Sequence, residues 1–204
     1  MQELYERCLT GPWITSGLDV QYKLRRWERD TFLVQNGELI FECTRSTGDW
    51  LHNFEAWVKP YKRQPINWYA HAGFVKLWKS VRDEVAKYYK DIHRIAGYSQ
   101  GSALAQLAAE DYYFTTGNAI DAVGFGCPRV FWMSNDYVRR SQEKTKLVMI
   151  ENDIVTHVPF AIWGYKHVGT PMLLPRTSML WSAKAHYPDN YREGLRVIGA
   201  EYAN

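Results

Sequence analysis

Cysteine is scarce in this chain of 204 residues: there are three, Cys8, Cys43 and Cys127. An odd number without regular spacing excludes a disulfide framework and a zinc-ligand pattern. Long hydrophobic runs are also missing, and none approaches the ~20 apolar residues that a membrane span needs. Met1 to Thr10 carries Glu3, Glu6 and Arg7 and lacks an apolar core, so it does not read as a secretory signal. The expectation is a cytoplasmic protein. Charge of one sign is not in excess either. A net charge of +3 is too mild to argue for nucleic acid or an anionic membrane as partner, and Arg25-Arg26 and Lys62-Arg63 read as solvated surface. Repeats, low-complexity tracts and linkers are absent, which points to one domain over residues 1–204. What the chain does have is aromatic residues: 15% of the total, nine of them Trp. They suit a dense core or an apolar cleft.

Apolar spacing gives the order of elements. Residues 1–9 read as a short amphipathic helix, stopped by Gly11-Pro12, and residues 21–27 as a strand. Two apolar runs, 32–34 and 39–43, flank Gln35-Asn36-Gly37-Glu38, whose Asn-Gly step signals a hairpin. Residues 44–71, with Pro60 and Pro65, read as irregular, with a short helical piece over 50–57. A helix over 73–90 precedes a strand at 92–97 and a second helix at 100–115, ended by Gly117. Further strands are expected at 120–126, 146–150, 165–168 and 172–174, and further helices at 135–142 and 187–202. Strands alternating with helices predict an α/β fold: a mostly parallel central sheet flanked by helices, with an antiparallel hairpin near its N-terminal edge.

Gly97-Tyr98-Ser99-Gln100-Gly101 stands between one of these strands and the Ala/Leu-rich helix after it. Gly-x-Ser-x-Gly arises by chance in about one chain in 25 of this composition, so the context carries the meaning. A serine on a sharp strand-to-helix turn forces the two backbones together, and glycine two residues to either side avoids the collision. The hydroxyl is then held above the sheet, where the unpaired N–H groups of the helix converge. The plainer alternative is a Gly-rich turn in which Ser99 caps the helix.

A nucleophilic serine needs a histidine base, and an acid to hold that histidine in the right tautomer. After an elbow of this kind the order along the chain is serine, acid, histidine. Asp153 falls at the carboxyl end of strand 146–150, where catalytic groups gather in a parallel sheet; Glu151 and Asp121 are weaker rivals. Three histidines follow: His157 beside Val158-Pro159, His167 inside a strand-like run, and His186 in a loop before the last helix. The loop position favours His186 as the base. An oxyanion needs two backbone donors. Gln100, after the serine, supplies one, and Thr44, after the strand ending at Cys43, is the natural source of the other.

Taken together, these segments resemble the fungal lipase-like family of α/β hydrolases, the class 3 lipases, over roughly residues 30–190. The nucleophile segment Gly97 to Ala105 is similar to the family's Gly-His-Ser-Leu-Gly-Gly-Ala-Leu-Ala. Phe125-Gly126-Cys127-Pro128-Arg129-Val130 resembles Phe-Gly-x-Pro-Arg-Val. Asp153 to Pro159 resembles Asp-x-Val-Pro-His-Leu-Pro, whose Asp is the triad acid. Tyr165-Lys166-His167-Val168-Gly169 resembles Tyr-x-His-x-Gly, and His71-Ala72-Gly73-Phe74 resembles His-x-Gly-Phe. Phe41 to Trp50 resembles Phe-Arg-Gly-Ser/Thr followed by Asn/Asp-Trp, with Thr44 on the oxyanion Ser/Thr. There are departures. Glu42-Cys43 replaces Arg-Gly, Tyr98 replaces His, and Ser102 replaces the second Gly.

The resemblance implies a triad of Ser99, Asp153 and His186, with Thr44 and Gln100 holding the oxyanion and no metal or organic cofactor. It implies cleavage of carboxylic esters, lipid-like ones first. A short-chain esterase, a thioesterase or an acyltransferase would use the same groups, and a non-catalytic binding module is the reading from a different class. Residues 49–57, with Trp50, Phe54 and Trp57, occupy the place of the family's lid, and ordinary packing accounts equally well for those aromatics.

Overall fold

Alternation along the strands divides the core in two. Leu33, Ile40, Ala96, Val123, Val148 and Ile150 belong to one buried cluster. Val34, Leu39, Ile95, Ala122, Leu147 and Met149, their chain neighbours, belong to another. Successive side chains of a strand point to opposite faces, so a strand apolar at every position must be covered on both. The computed structural model, which describes residues 1–9, 22–26, 29–42, 58–63, 66–132 and 143–201, shows what covers them. On one face lie helix α2 (Ala72–Ala86) and helix α3 (Gln100–Thr116), with Phe74, Trp78, Leu104 and Leu107 in the core. On the other lie helix α1 (Gln2–Leu9) and helix α4 (Pro188–Glu201), with Leu4, Tyr5, Tyr191 and Leu195. Each fully buried Leu, Ile or Phe contributes about 1.5–3 kcal/mol by leaving water.

The central sheet has seven strands. β1 (Tyr22–Arg26), β2 (Arg29–Gln35) and β3 (Glu38–Phe41) form an antiparallel meander at one edge. β6 (Arg94–Tyr98), β7 (Asp121–Phe125), β9 (Thr145–Ile150) and β11 (Thr170–Leu174) then follow β3 in parallel. The Asn-Gly step makes the β2–β3 turn with φ 51 at Asn36 and 73 at Gly37, the pair of positive angles a two-residue hairpin requires.

Residues 58–71 correct the expectation of an irregular segment. β4 (Val58–Arg63) and β5 (Ile66–His71) pair antiparallel, with Pro60 opposite Tyr69. β8 (Phe131–Trp132) and β10 (Tyr165–Lys166) extend them into a second, four-stranded sheet of order β10-β8-β5-β4. β4 is an edge of that sheet, a position that tolerates proline. That edge position is why Pro60 does not make the segment irregular. The helix expected over 73–90 ends at Ala86, and a turn takes the chain on. The helical readings at 50–57 and 135–142 lie outside the described residues.

The glycines around the serine do what the turn demands. A Cβ on Gly97 would stand 2.3 Å from the carbonyl carbon of Gly101, and one on Gly101 would stand 2.6 Å from the carbonyl oxygen of Phe41. Both obstacles are backbone, so neither can swing aside. Gly97→Ala should cost about 3 kcal/mol, a fall in melting midpoint on the order of 10 °C for a chain of this size. Circular dichroism during heating reads it. An unchanged midpoint would mean that strand and helix can separate freely.

Candidate active site

Ser99 sits between β6 and α3 with φ 56 and ψ −123. A non-glycine residue rarely holds this conformation, and it stores about 1–3 kcal/mol of strain. The surroundings enforce it. The Ser99 N–H donates to Phe125 O on β7 at 2.9 Å, and the Ser102 N–H returns to Ser99 O at 3.0 Å. The Ser102 hydroxyl donates to the same oxygen. Gln100 opens α3, so its N–H is among those that a helix cannot satisfy within itself.

Asp153 lies three residues beyond the end of β9 and caps a short 3-10 helix, Ile154–His157, its Oδ1 accepting from Val155 N at 2.9 Å. His186 closes another 3-10 turn, Ala183–His186. The two loops are stitched together. Asp153 and Ser182 form a parallel bridge, and Ser182 N donates to Asn152 O at 3.0 Å. The Asn152 side chain fastens the preceding loop, donating to Ser178 Oγ and Leu180 O at 2.9 Å each and accepting from Thr177 N at 3.0 Å.

These supports bring three side chains into line. His186 Nδ1 is 2.6 Å from Asp153 Oδ2, and His186 Nε2 is 2.9 Å from Ser99 Oγ. A carboxylate can only accept, so Nδ1 carries the proton and Nε2 accepts from the serine hydroxyl. All three side chains are buried, which removes the water that would weaken each of these bonds.

Two residues that sequence reasoning did not assign complete the arrangement. Tyr191 on α4 donates its hydroxyl to Asp153 Oδ2 at 2.7 Å. Burial first, and the charge of Asp153 second, push the Tyr191 phenol well above its ordinary range, so it remains a donor. Gly126, with φ +57, leaves room for the base: a Cβ there would stand 2.7 Å from His186 Cε1. Tyr191 carries no local signal in the sequence, whereas Gly126 lies within Phe125-Gly126-Cys127-Pro128-Arg129-Val130.

The rival residues lie elsewhere. Glu151 pairs with Arg176 at 3.2 Å at the surface. Asp121 starts β7, at the opposite end of the sheet, and faces Lys144 at 3.5 Å. His167 Nε2 binds Thr156 O at 2.7 Å, and burial lowers its pKa to about 4, which makes it a neutral donor to a carbonyl. His157 Nδ1 lies 3.1 Å from Asp153 O, and its pKa is lowered, chiefly by burial. Both rings are engaged by main-chain oxygens of the segment 153–156. Thr44 and residues 49–57 lie outside the described residues.

A family model described as Lipase (class 3) matches residues 39–163. Among solved structures, the chain is similar to the native propeptide complex of Rhizomucor miehei lipase, with a TM-score of 0.66 and 22% identity over 77% of this chain and 57% of that one. It is similar to lipase II from Rhizopus niveus, with a TM-score of 0.65 and 20% identity over 76% of this chain and 65% of that one. It is also similar to the lipase from Rhizopus microsporus var. chinensis, with a TM-score of 0.59 and 22% identity over 76% of this chain and 60% of that one. At these identities the likeness establishes the fold, that of an α/β hydrolase. The chain spans 57–65% of the length of these three structures.

Proposed function

Because the chain belongs to the class 3 lipase family, we propose that it is a serine hydrolase that cleaves carboxylic ester bonds, with lipid esters as its substrates. The observation that carries this reading is the line of bonds from Ser99 Oγ through the His186 ring to Asp153. Ser99 attacks the acyl carbonyl as His186 Nε2 takes its proton. The tetrahedral oxyanion is held by backbone donors at Gln100 and Thr44. His186 returns the proton to the departing alcohol, leaving Ser99 acylated. Water, deprotonated by His186, then releases the acid and restores the hydroxyl. Asp153 keeps the ring in the required tautomer and stabilises the imidazolium formed in each step. The mechanism calls for neither a metal nor an organic cofactor.

The lipid part of the proposal, including transient contact with a lipid interface, rests on the surface beside the triad. Ile162, Met179 and Leu180 are 89%, 90% and 78% exposed, and Trp163 and Trp181 stand next to them in sequence, each about half exposed. His157 ties the two loops together, its ring centroid 4.2 Å from that of Trp181. Apolar side chains held out on two anchored loops are an interaction surface by nature, and tryptophan favours the boundary between water and lipid. Among the described residues, no helix is long and apolar enough to cross a membrane. The proposal also includes a single domain over residues 1–204, supported by the packing of α1 on α4 at the two ends of the chain. It includes a cytoplasmic setting, which cell fractionation tests.

A fluorophosphonate probe and a series of acyl esters test the whole. The expected result is covalent labelling that is lost in Ser99→Ala, with hydrolysis extending to long acyl chains presented as an emulsion. Activity confined to short soluble esters would make the protein a small-ester esterase. Absence of labelling would leave a hydrolase-like binding module.

A further inference from the structure

Tyr98, the residue immediately before the nucleophile, touches the base twice. Its ring lies 5.1 Å from the His186 ring at an interplanar angle of 16°, a stacked pair. Its hydroxyl donates to the main-chain oxygen of His186 itself. One side chain thus fixes both the plane of the imidazole and the backbone from which it hangs. The pair is buried, with Tyr98 1% exposed.

Tyr98 is itself held. The Tyr5 ring of α1 meets it edge-on at 5.6 Å, and the Tyr191 ring meets it at 5.7 Å and 71°. The Tyr5 hydroxyl donates to Pro188 O at 3.0 Å, two residues beyond His186. Gly126 closes on the His186 ring itself, where no added Cβ would fit. The bond from His186 Nε2 to Ser99 Oγ is therefore one edge of a closed loop. The other edges are the peptide bond from Tyr98 to Ser99 and the two Tyr98–His186 contacts. A ring tilted about its Cβ would move Nε2 away from Ser99 even with the bond to Asp153 kept.

We propose that Tyr98 is a positioning residue for the base, setting where the His186 ring stands relative to Ser99 through its stacked ring and its hydroxyl. The inference rests on the reading of Ser99, His186 and Asp153 as a hydrolytic triad. Base and nucleophile must meet within a narrow distance and angle, and a misplacement of about 1 Å costs on the order of 10²-fold in rate.

The test uses the full chain carrying Tyr98→Phe or Tyr98→Leu. kcat, KM and the rate of fluorophosphonate labelling are measured on soluble esters of several acyl lengths, well below each variant's melting midpoint. Tyr98→Phe keeps the stack and the volume and loses the hydroxyl; Tyr98→Leu loses both. The expected result is a fall in kcat of about tenfold for Phe and about 10²-fold for Leu. KM should stay within twofold, labelling should slow by the same factors, and the factors should be equal at every acyl length, since the base serves all substrates alike. Two results would overturn the inference with wild-type labelling intact. In one, kcat stays within twofold in both variants while only the melting midpoint falls. In the other, KM changes and kcat does not. Failure of the wild-type protein to label would instead overturn the triad reading, and this inference with it.

Discussion

Ser99→Ala is expected to lower turnover of a soluble acyl ester by about 10⁶ while leaving the fold in place. The two halves of this expectation have separate causes. On the proposed mechanism the reacting atom is the Ser99 hydroxyl oxygen, 2.9 Å from His186 Nε2, and alanine has nothing to put there. The elbow, however, is built by main-chain contacts: Ser99 N to Phe125 O, Ser102 N to Ser99 O, and the close approach of Gly97 to Gly101. Alanine keeps every one of these and fits the positive φ no worse than serine does. What survives is the catalysis that the oxyanion donors and binding supply alone, about 10³–10⁴ over water. Steady-state turnover and a thermal scan on the same preparation check both halves. Turnover within tenfold of wild type would place the nucleophile elsewhere.

Asp153→Asn is the second large effect, about 10⁴ in kcat, and its cause is a mismatch of donors. Asp153 accepts three hydrogen bonds: Oδ1 from Val155 N, and Oδ2 from both Tyr191 and His186. An asparagine has one acceptor oxygen for these two sides. If that oxygen stays with Val155, the amide NH₂ faces His186 and forces the imidazole into the tautomer with its proton on Nε2. The ring can then no longer take the proton of Ser99. If the amide flips, its donors face the Val155 N–H and the 3-10 turn loses its cap. The first arrangement predicts a stable, nearly inactive protein; the second keeps the tautomer and instead loses about 1 kcal/mol in stability. Turnover together with the melting midpoint distinguishes them. An Asp153→Asn variant with both kcat and melting midpoint near wild type would mean that another group orients the ring.

Some of this was legible because it is written over short distances. Asn36-Gly37 specifies its own turn. Gly97 and Gly101 mark two backbones in contact, so a strand, a serine and a helix follow from five residues. The near-continuous apolar runs at 120–126 and 146–150 imply strands covered on both faces, and the position of Asp153 beyond the second places it at the carboxyl edge. Other parts were not legible, because they depend on chain segments meeting. Pro60 reads as a breaker until the fold makes β4 an edge strand. Tyr191 meets Asp153 across 38 positions, and Tyr98 meets His186 across 88. A tyrosine before the serine stood out only as a departure from the family pattern. Its position between the His186 ring and α1 makes it part of the site's frame, and no local rule carries that information.

The pairing of α1 with α4 has a consequence for how the protein comes into being. Tyr5 stacks on Tyr191 at 6.0 Å, and Arg192 binds Glu6 at 2.7 Å. During synthesis α1 therefore meets α4 only after the chain has run the 186 positions from Glu6 to Arg192. Ser99 emerges midway, Asp153 later, and His186 and Tyr191 later still. On the proposed mechanism a growing chain stays inert toward esters until His186 is free, and any product cut short of His186 has a nucleophile but no base. Ester hydrolysis would then report on the meeting of α1 and α4, as well as on chemistry at Ser99.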